Sequence, residues 1–167
     1  MEKCNANDRM KKRSREMPLT RAICLLARDI HNVADRILRS YDVTSEQLYV
    51  MQCLAEGDTG YPQREICRRT EKKPANVTRI VDRLESKSLV SRKTSPLDRR
   101  VYIVVLTGRG RSLLQQANAA MVDFSSKLCA GIDLESQDIA RGTMAVICRN
   151  VKHMSIKQCG GSSRSSP

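Results

Sequence analysis

The chain of 167 residues carries 30 Lys and Arg against 18 Asp and Glu, a formal charge of +12. That excess suits polyanions such as duplex DNA, RNA or anionic lipid, while one Phe, four Tyr and no Trp argue against a reader of single strands, which stacks bases on aromatic platforms. Seven cysteines with no C-x-x-C unit and a polar, charged start speak against a fully paired disulfide scaffold and a secretory leader, and predict free thiols in a reducing cytoplasm.

Residues 1–16 are polar and basic, without an apolar period, and read as a flexible arm. From Met17 a helix is expected, with Pro18 in its first turn. Leu19, Ile23, Leu26, Ile30, Val33 and Ile37 alternate steps of four and three, a heptad-like seam over about five turns. Either a second subunit or the rest of the monomer must cover that stripe. Asp42–Ser45 forms a turn in which Thr44 can cap the next helix, with Gln47 as its capping-box partner. Leu48, Met51, Leu54 and Ala55 mark that helix's inner face, and Gly57–Gly60 ends it.

A short helix over Pro62–Arg69 follows, then a turn, then a helix from Pro74 to about Lys87 with Val77, Ile80, Val81 and Leu84 inward. Two strands, about Leu89–Thr94 and Arg100–Leu106, flank a turn at Ser95–Asp98. Gly108–Gly110 breaks the pattern. A long helix then runs to about Ala130, with Leu113, Leu114, Ala117, Met121, Phe124 and Leu128 on one side. Asp133 or Glu135 starts a last helix whose inner face carries Ile139, Val146, Ile147, Val151 and Met154. The longest apolar stretch, Val101–Leu106, is far too short to cross a bilayer, so no membrane association is expected. Residues 156–167, rich in Gly and Ser, read as a disordered tail.

Function concentrates in the middle. Between Pro62 and Thr107 stand twelve positive and five negative residues, more than half of the chain's excess charge. With Val77, Ile80, Val81 and Leu84 inward, the helix from Pro74 shows Ala75, Asn76, Arg79, Asp82 and Arg83 outward, with Thr78 on its flank. Asn and Arg read adenine and guanine edges in the major groove by paired hydrogen bonds. Ala75 lets the helix tip approach closely, and the N–H groups of the first turn can meet a phosphate. Arg92, Lys93, Arg99 and Arg100 lie on or beside the hairpin tip, where arginine can enter a minor groove. Asp98 either orients one of them or stabilises the turn.

The run Val77-Thr78-Arg79-Ile80-Val81-Asp82-Arg83-Leu84-Glu85, the pair Leu89-Val90 with Arg92, and Asp98-Arg99-Arg100 followed by Val104-x-Leu106-Thr107-x-x-Gly110 resemble the winged helix of the MarR family of bacterial transcription regulators. The resemblance covers about residues 18–154. Ser88 stands where the family commonly has Gly. It implies a mainly α fold with a small β-hairpin wing: a winged helix-turn-helix domain over 42–108, with dimerisation helices over 17–41 and 109–155. It implies a homodimer binding a palindromic double-stranded operator, usually as a repressor released by a small, often phenolic ligand or by thiol oxidation. Ala75, Asn76, Thr78 and Arg79 fall at the reading helix and Arg100 at the groove-entering position of the wing. Arg64, Lys73, Pro74, Arg83, Arg92, Asp98 and Arg99 complete the expected DNA surface. Dimers of such heads match half-sites ~34 Å apart.

The switch is less legible. Cys24 shares a helix face with His31, but seven residues separate them by ~10.5 Å, so the imidazole cannot activate that thiol directly. Cys67 reads as packing. Cys148 and His153 are poorly spaced for one metal, Cys4 and Cys159 lie in the chain ends, and no compact four-ligand cluster appears. Neither a metal nor another cofactor is expected, and no catalytic group is assigned. His31, Tyr41 and Tyr49 are candidates by position for a small aromatic ligand. Two other classes compete: a thiol redox enzyme using Cys24, for which no nucleophile–base signature exists, and a non-specific nucleic-acid or protein interaction module.

Overall fold

The computed structural model describes residues 17–57, 59–96 and 98–159, the last five of these in backbone only. The expected arm at 1–16 lies outside the described residues, as do Cys4 and the side chain of Cys159; of the expected disordered tail at 156–167, residues 156–159 instead continue the last helix and 160–167 lie outside the described residues. Helix α1 spans Leu19–Leu38 and continues into a 3-10 turn at Arg39–Tyr41. Then come α2 (Ser45–Ala55), β1 (Tyr61–Pro62), α3 (Gln63–Thr70), α4 (Pro74–Ser86), β2 (Val90–Thr94), β3 (Tyr102–Leu106), α5 (Gly108–Leu128) and α6 (Leu134–Cys159). The chain divides into two compact units, the first ending at Phe124 and the second beginning at Ser125.

The core of the first unit joins α1–α5 and the sheet. Leu38, Leu48, Met51, Leu54, Val77, Val81 and Leu84 are all within it. Every residue expected on the inner face of α4 is buried. Burial of such side chains contributes ~1.5–3 kcal/mol each, which fixes which face of α4 remains outward. Helix α2 starts as expected. Gln47 N–H donates to the Thr44 hydroxyl at 3.3 Å, and Thr44 N–H to the Gln47 side chain at 3.1 Å. Its inner face is broader than the spacing suggests. Val50 and Cys53 are buried as well, whereas Ala55 is exposed, because α2 packs against α1, α3, α4 and β3 at once.

The sheet has three antiparallel strands in the order β1-β3-β2. Tyr61 faces Val104 across β1–β3, and Arg92 faces Val104 across β2–β3. The strands begin later than expected. Arg100 belongs to the turn, where Ser95 N–H donates to Val101 O at 2.8 Å. Ser88 has a φ of 57°, a left-handed value that glycine adopts without steric cost.

Gly108–Gly110 opens α5 instead of preceding it. Gly110 N–H donates to the Thr107 hydroxyl at 2.9 Å, and that hydroxyl donates to Ser88 O at 2.8 Å. One threonine thus caps α5 and fastens it to the root of the hairpin. In α1 only Ala34 and Leu38 are buried, while Leu19 and Leu26 are more than half exposed. Pro18 stands at the N-cap, one residue before the expected first turn.

In the second unit, Asp133 starts α6 by accepting the Ser136 N–H at 2.7 Å. That bond and the Ser136 hydroxyl hold its carboxyl below the usual carboxylate range. The expected inner face of α6 is outward. Ile139, Val146, Val151 and Met154 are exposed and Ile147 is half-buried.

Candidate nucleic-acid interface

Helix α4 presents its N-terminal turn without a side-chain cap, led by Lys73 and by Pro74 in the first turn. Lys73, Pro74, Ala75, Asn76, Arg79 and Arg83 line its outer face, away from the buried side. Arg79 Nη2 donates to Asn76 Oδ1 at 3.0 Å, so the two candidate base readers are already oriented side by side. Arg83 continues the row, and a groove between α4 and the start of α2 is lined by Thr44, Gln47, Asn76, Arg79 and Arg83. Arg64 is exposed on the first turn of α3.

Thr78 has a different task from its neighbours. Its hydroxyl donates to Pro74 O at 3.0 Å and accepts from Gln63 Nε2 at 2.5 Å, which ties the start of α3 to the first turns of α4. Sequence periodicity places Thr78 on the flank of the reading face but does not show that its hydroxyl is engaged. Gln63, the residue that fastens the two helices, carries no signal, because a glutamine opening a helix is commonplace.

The short helix α3 is held by ions at its surface. Glu65 receives Arg68 at 2.6 Å and Arg69 at 2.8 Å. The Arg68 hydrogen bond leads in holding its carboxyl down to about 2. Arg69 also reaches Glu56 at 2.8 Å and stacks over the Tyr61 ring, 4.3 Å from its centroid, a cation–π contact that pins β1. These basic residues are therefore committed to the scaffold.

In the wing, Arg99 and Arg100 are exposed on the turn. Asp98 accepts the Arg100 backbone N–H at 2.9 Å, so the stabilised turn is the alternative the geometry realises. Arg92 departs from the expected surface. Its guanidinium bonds Asp82 at 2.5 Å and also Glu85, and its own N–H donates to Glu85 Oε1 at 3.1 Å. Its place on the strand is the expected one, but the side chain turns toward α4.

The candidate sensor residues do not converge. Cys24 is exposed on α1. His31 lies beside Asp35 and Ser45, with the Ser45 hydroxyl 3.2 Å from Nδ1. Asp35 accepts both the Ser45 N–H and its hydroxyl at 2.7 Å. Burial raises the Asp35 pKa, but the Ser45 bonds and the nearby His31 and Arg39 outweigh it and leave the carboxyl below its ordinary value. Tyr41 packs against the core and borders a cleft with Ser40, Arg109, Ser112 and Gln116. Tyr49 is exposed on α2, beside a separate cleft lined by Gln52, Cys53 and Arg69. Burial, with Glu56, pushes the Cys53 thiol up, away from thiolate chemistry. Among the described residues no helix is long and apolar enough to cross a membrane.

Residues 41–101, from the end of α1 through the wing turn, match the model of the MarR family. That segment, the winged helix, is similar to the MarR family. The transcriptional repressor MdtR of Bacillus subtilis (strain 168) is 41% identical over 68 residues, 41% of this chain and 43% of that protein. The HTH-type transcriptional regulator YhbI of the same organism is 28% identical over 101 residues, 60% of this chain and 65% of that protein. In each case the match spans less than two thirds of the relative's length. Among solved structures, the S. aureus MepR–DNA complex superposes with a TM-score of 0.75 at 19% identity, covering 81% of this chain and 99% of that one. CouR bound to a 23-mer DNA duplex superposes at 0.72 with 24% identity, covering 78% and 92%. At these identities the MarR-family likeness establishes the winged-helix fold, and the chemistry must come from this chain's own residues.

Proposed function

We propose that this chain is one subunit of a homodimeric transcription regulator, acting as a repressor in the cytoplasm on palindromic duplex DNA. Helix α4 enters the major groove with Asn76 and Arg79 against base edges. Lys73 and the Ala75 N–H approach the phosphates, with Arg64 and Arg83 flanking. Arg99 and Arg100 reach the adjacent minor groove. The observation that carries this reading is the Asn76–Arg79 pair, oriented on the outer face of a helix whose opposite face is wholly buried. The name of MdtR, a transcriptional repressor, supports the direction of regulation. Among the described residues Cys24 has no activating base beside it, since His31 is bonded to Ser45 and Asp35 and lies two helical turns away.

Release by a small aromatic acid fits the cleft beside Tyr41. The Arg109 guanidinium supplies a carboxylate partner, Tyr41 an aromatic wall, and Ser112 and Gln116 polar groups, the mixture that small-molecule sites use.

Selection of bound duplexes from a random pool tests the reading. A recovered inverted repeat, bound ~10³-fold or more tighter than random duplex at physiological salt, is the expected result. Equal affinity for all duplexes would overturn it in favour of a packaging or interaction module.

A further inference from the structure

The hairpin's most inward arginine belongs to the expected DNA surface, yet the fold diverts it into a carboxylate pair. Asp82 and Glu85 lie one turn apart on α4, and Arg92 sits at the centre of β2, opposite the buried Val104. Nη2 takes Asp82, Nη1 takes Glu85, and the Arg92 backbone N–H takes the second oxygen of Glu85. The Arg92 side chain is 28% exposed. Three bonds from one residue therefore join the base-reading helix to the wing at the wing's root.

We propose that Arg92 is a positioning residue for DNA recognition: it makes no groove contact, and sets the separation between the α4 reading pair and the wing tip. The proposal rests on the DNA-binding reading above. A duplex offers its major and minor grooves at a fixed spacing, so Asn76 and Arg79 can engage together with Arg99 and Arg100 only if the hairpin leaves α4 at the right angle. A lone surface ion pair would be too weak to impose that angle. A guanidinium fork shared by two carboxylates, with a backbone bond beside it, constrains direction as well as distance. Asp82, 55% exposed, would otherwise present an unneutralised charge beside the phosphates.

The test compares Arg92→Lys and the double variant Asp82→Asn/Glu85→Gln with the wild-type chain on its selected operator. Affinity, salt dependence and hydroxyl-radical footprint are measured, with thermal melting to verify folding. A lysine keeps the charge but cannot bridge both carboxylates in the fork geometry. Both variants are expected to melt cooperatively and to bind roughly tenfold more weakly, about 1.4 kcal/mol. Both should lose the minor-groove protection contributed by the wing while keeping the major-groove protection of α4. If Arg92 instead touches DNA, removing its carboxylate partners frees it. The double variant would then bind at least as tightly as wild type, with a steeper salt slope, and that overturns the proposal. A wild-type chain that selects no operator overturns the DNA-binding reading itself, and this proposal with it.

Discussion

Gly110 on α5 lies directly against the main-chain carbonyl of Leu89: a Cβ at this position would stand 2.0 Å from that oxygen. Leu89 O also accepts the Thr107 N–H at 3.1 Å. The helix that leaves the winged domain and the residue that leads into β2 are therefore packed backbone to backbone. Gly110→Ala should destabilise the chain by about 2–4 kcal/mol, since neither backbone can move without breaking the hairpin root. Gly108, two residues earlier, is the control, because a methyl group there would meet no atom within 4 Å. Gly108→Ala should be neutral or stabilising by up to about 1 kcal/mol. Urea denaturation of the pair checks this, and equal effects would contradict the close packing.

The reading helix and the wing should fail differently. In the proposed reading Arg79→Ala removes a base-reading side chain, so it should cost ~1–3 kcal/mol and relax preference at one operator position. Arg100→Ala should weaken all duplexes alike and lower the salt slope by about one unit. Anisotropy titrations over a salt series on operator and random duplex separate the two. An Arg79→Ala chain with unchanged base preference would remove α4 from the base-reading role.

Asp35 links the end of α1 to the start of α2 through Ser45. Its carboxyl titrates below its ordinary value in the fold. A depressed folded pKa contributes stability that is complete above the unfolded value of ~3.9 and is lost as pH falls through the folded one. Asp35→Ala should cost about 1–2 kcal/mol at pH 7, and the gap from wild type should narrow below about pH 4. Denaturation midpoints at about pH 7, 5 and 3.5 measure it. A gap constant with pH would mean that the ionised carboxylate is not the stabilising form.

Leu26 on α1 is 53% exposed and outside the core cluster. In the dimeric reading it belongs to the seam between subunits. Leu26→Glu should therefore yield monomers in sedimentation without lowering the monomer's own cooperativity of melting. Dimers of undiminished stability would assign this face to another purpose.

The inner face of α4 and the capping box at Thr44 are legible in the sequence because each follows from short-range rules of period or hydrogen bonding, and the start of α6 is legible to within Asp133 or Glu135, between which the Ser136 N–H bond decides. Strand β1 is not, since two residues carry no alternation and exist as a strand only because Val104 and Ile103 offer an edge. The seam residues of α1 and the stripe of α6 are legible as apolar, but their partner is not, and in the single chain most of them face outward. Among the site residues, position is readable and engagement is not. Arg92 and Arg100 are both basic residues of the hairpin, yet one is drawn to carboxylates encoded seven and ten residues earlier and the other stays on the turn. Ser88 marks itself by differing from the family's glycine, and it occupies the left-handed backbone that a glycine there would take.

The two-residue strand β1 has a mechanical effect larger than its size. It pairs with β3 only at Ile103 and Val104, so the hairpin is held on both sides across its middle, and the turn beyond Tyr102 has no third strand beside it. Stiffness falls along the wing toward Arg99 and Arg100. Such a graded finger can bend to follow a groove whose width varies with A·T content, while its base keeps the aim of the helix beside it unchanged.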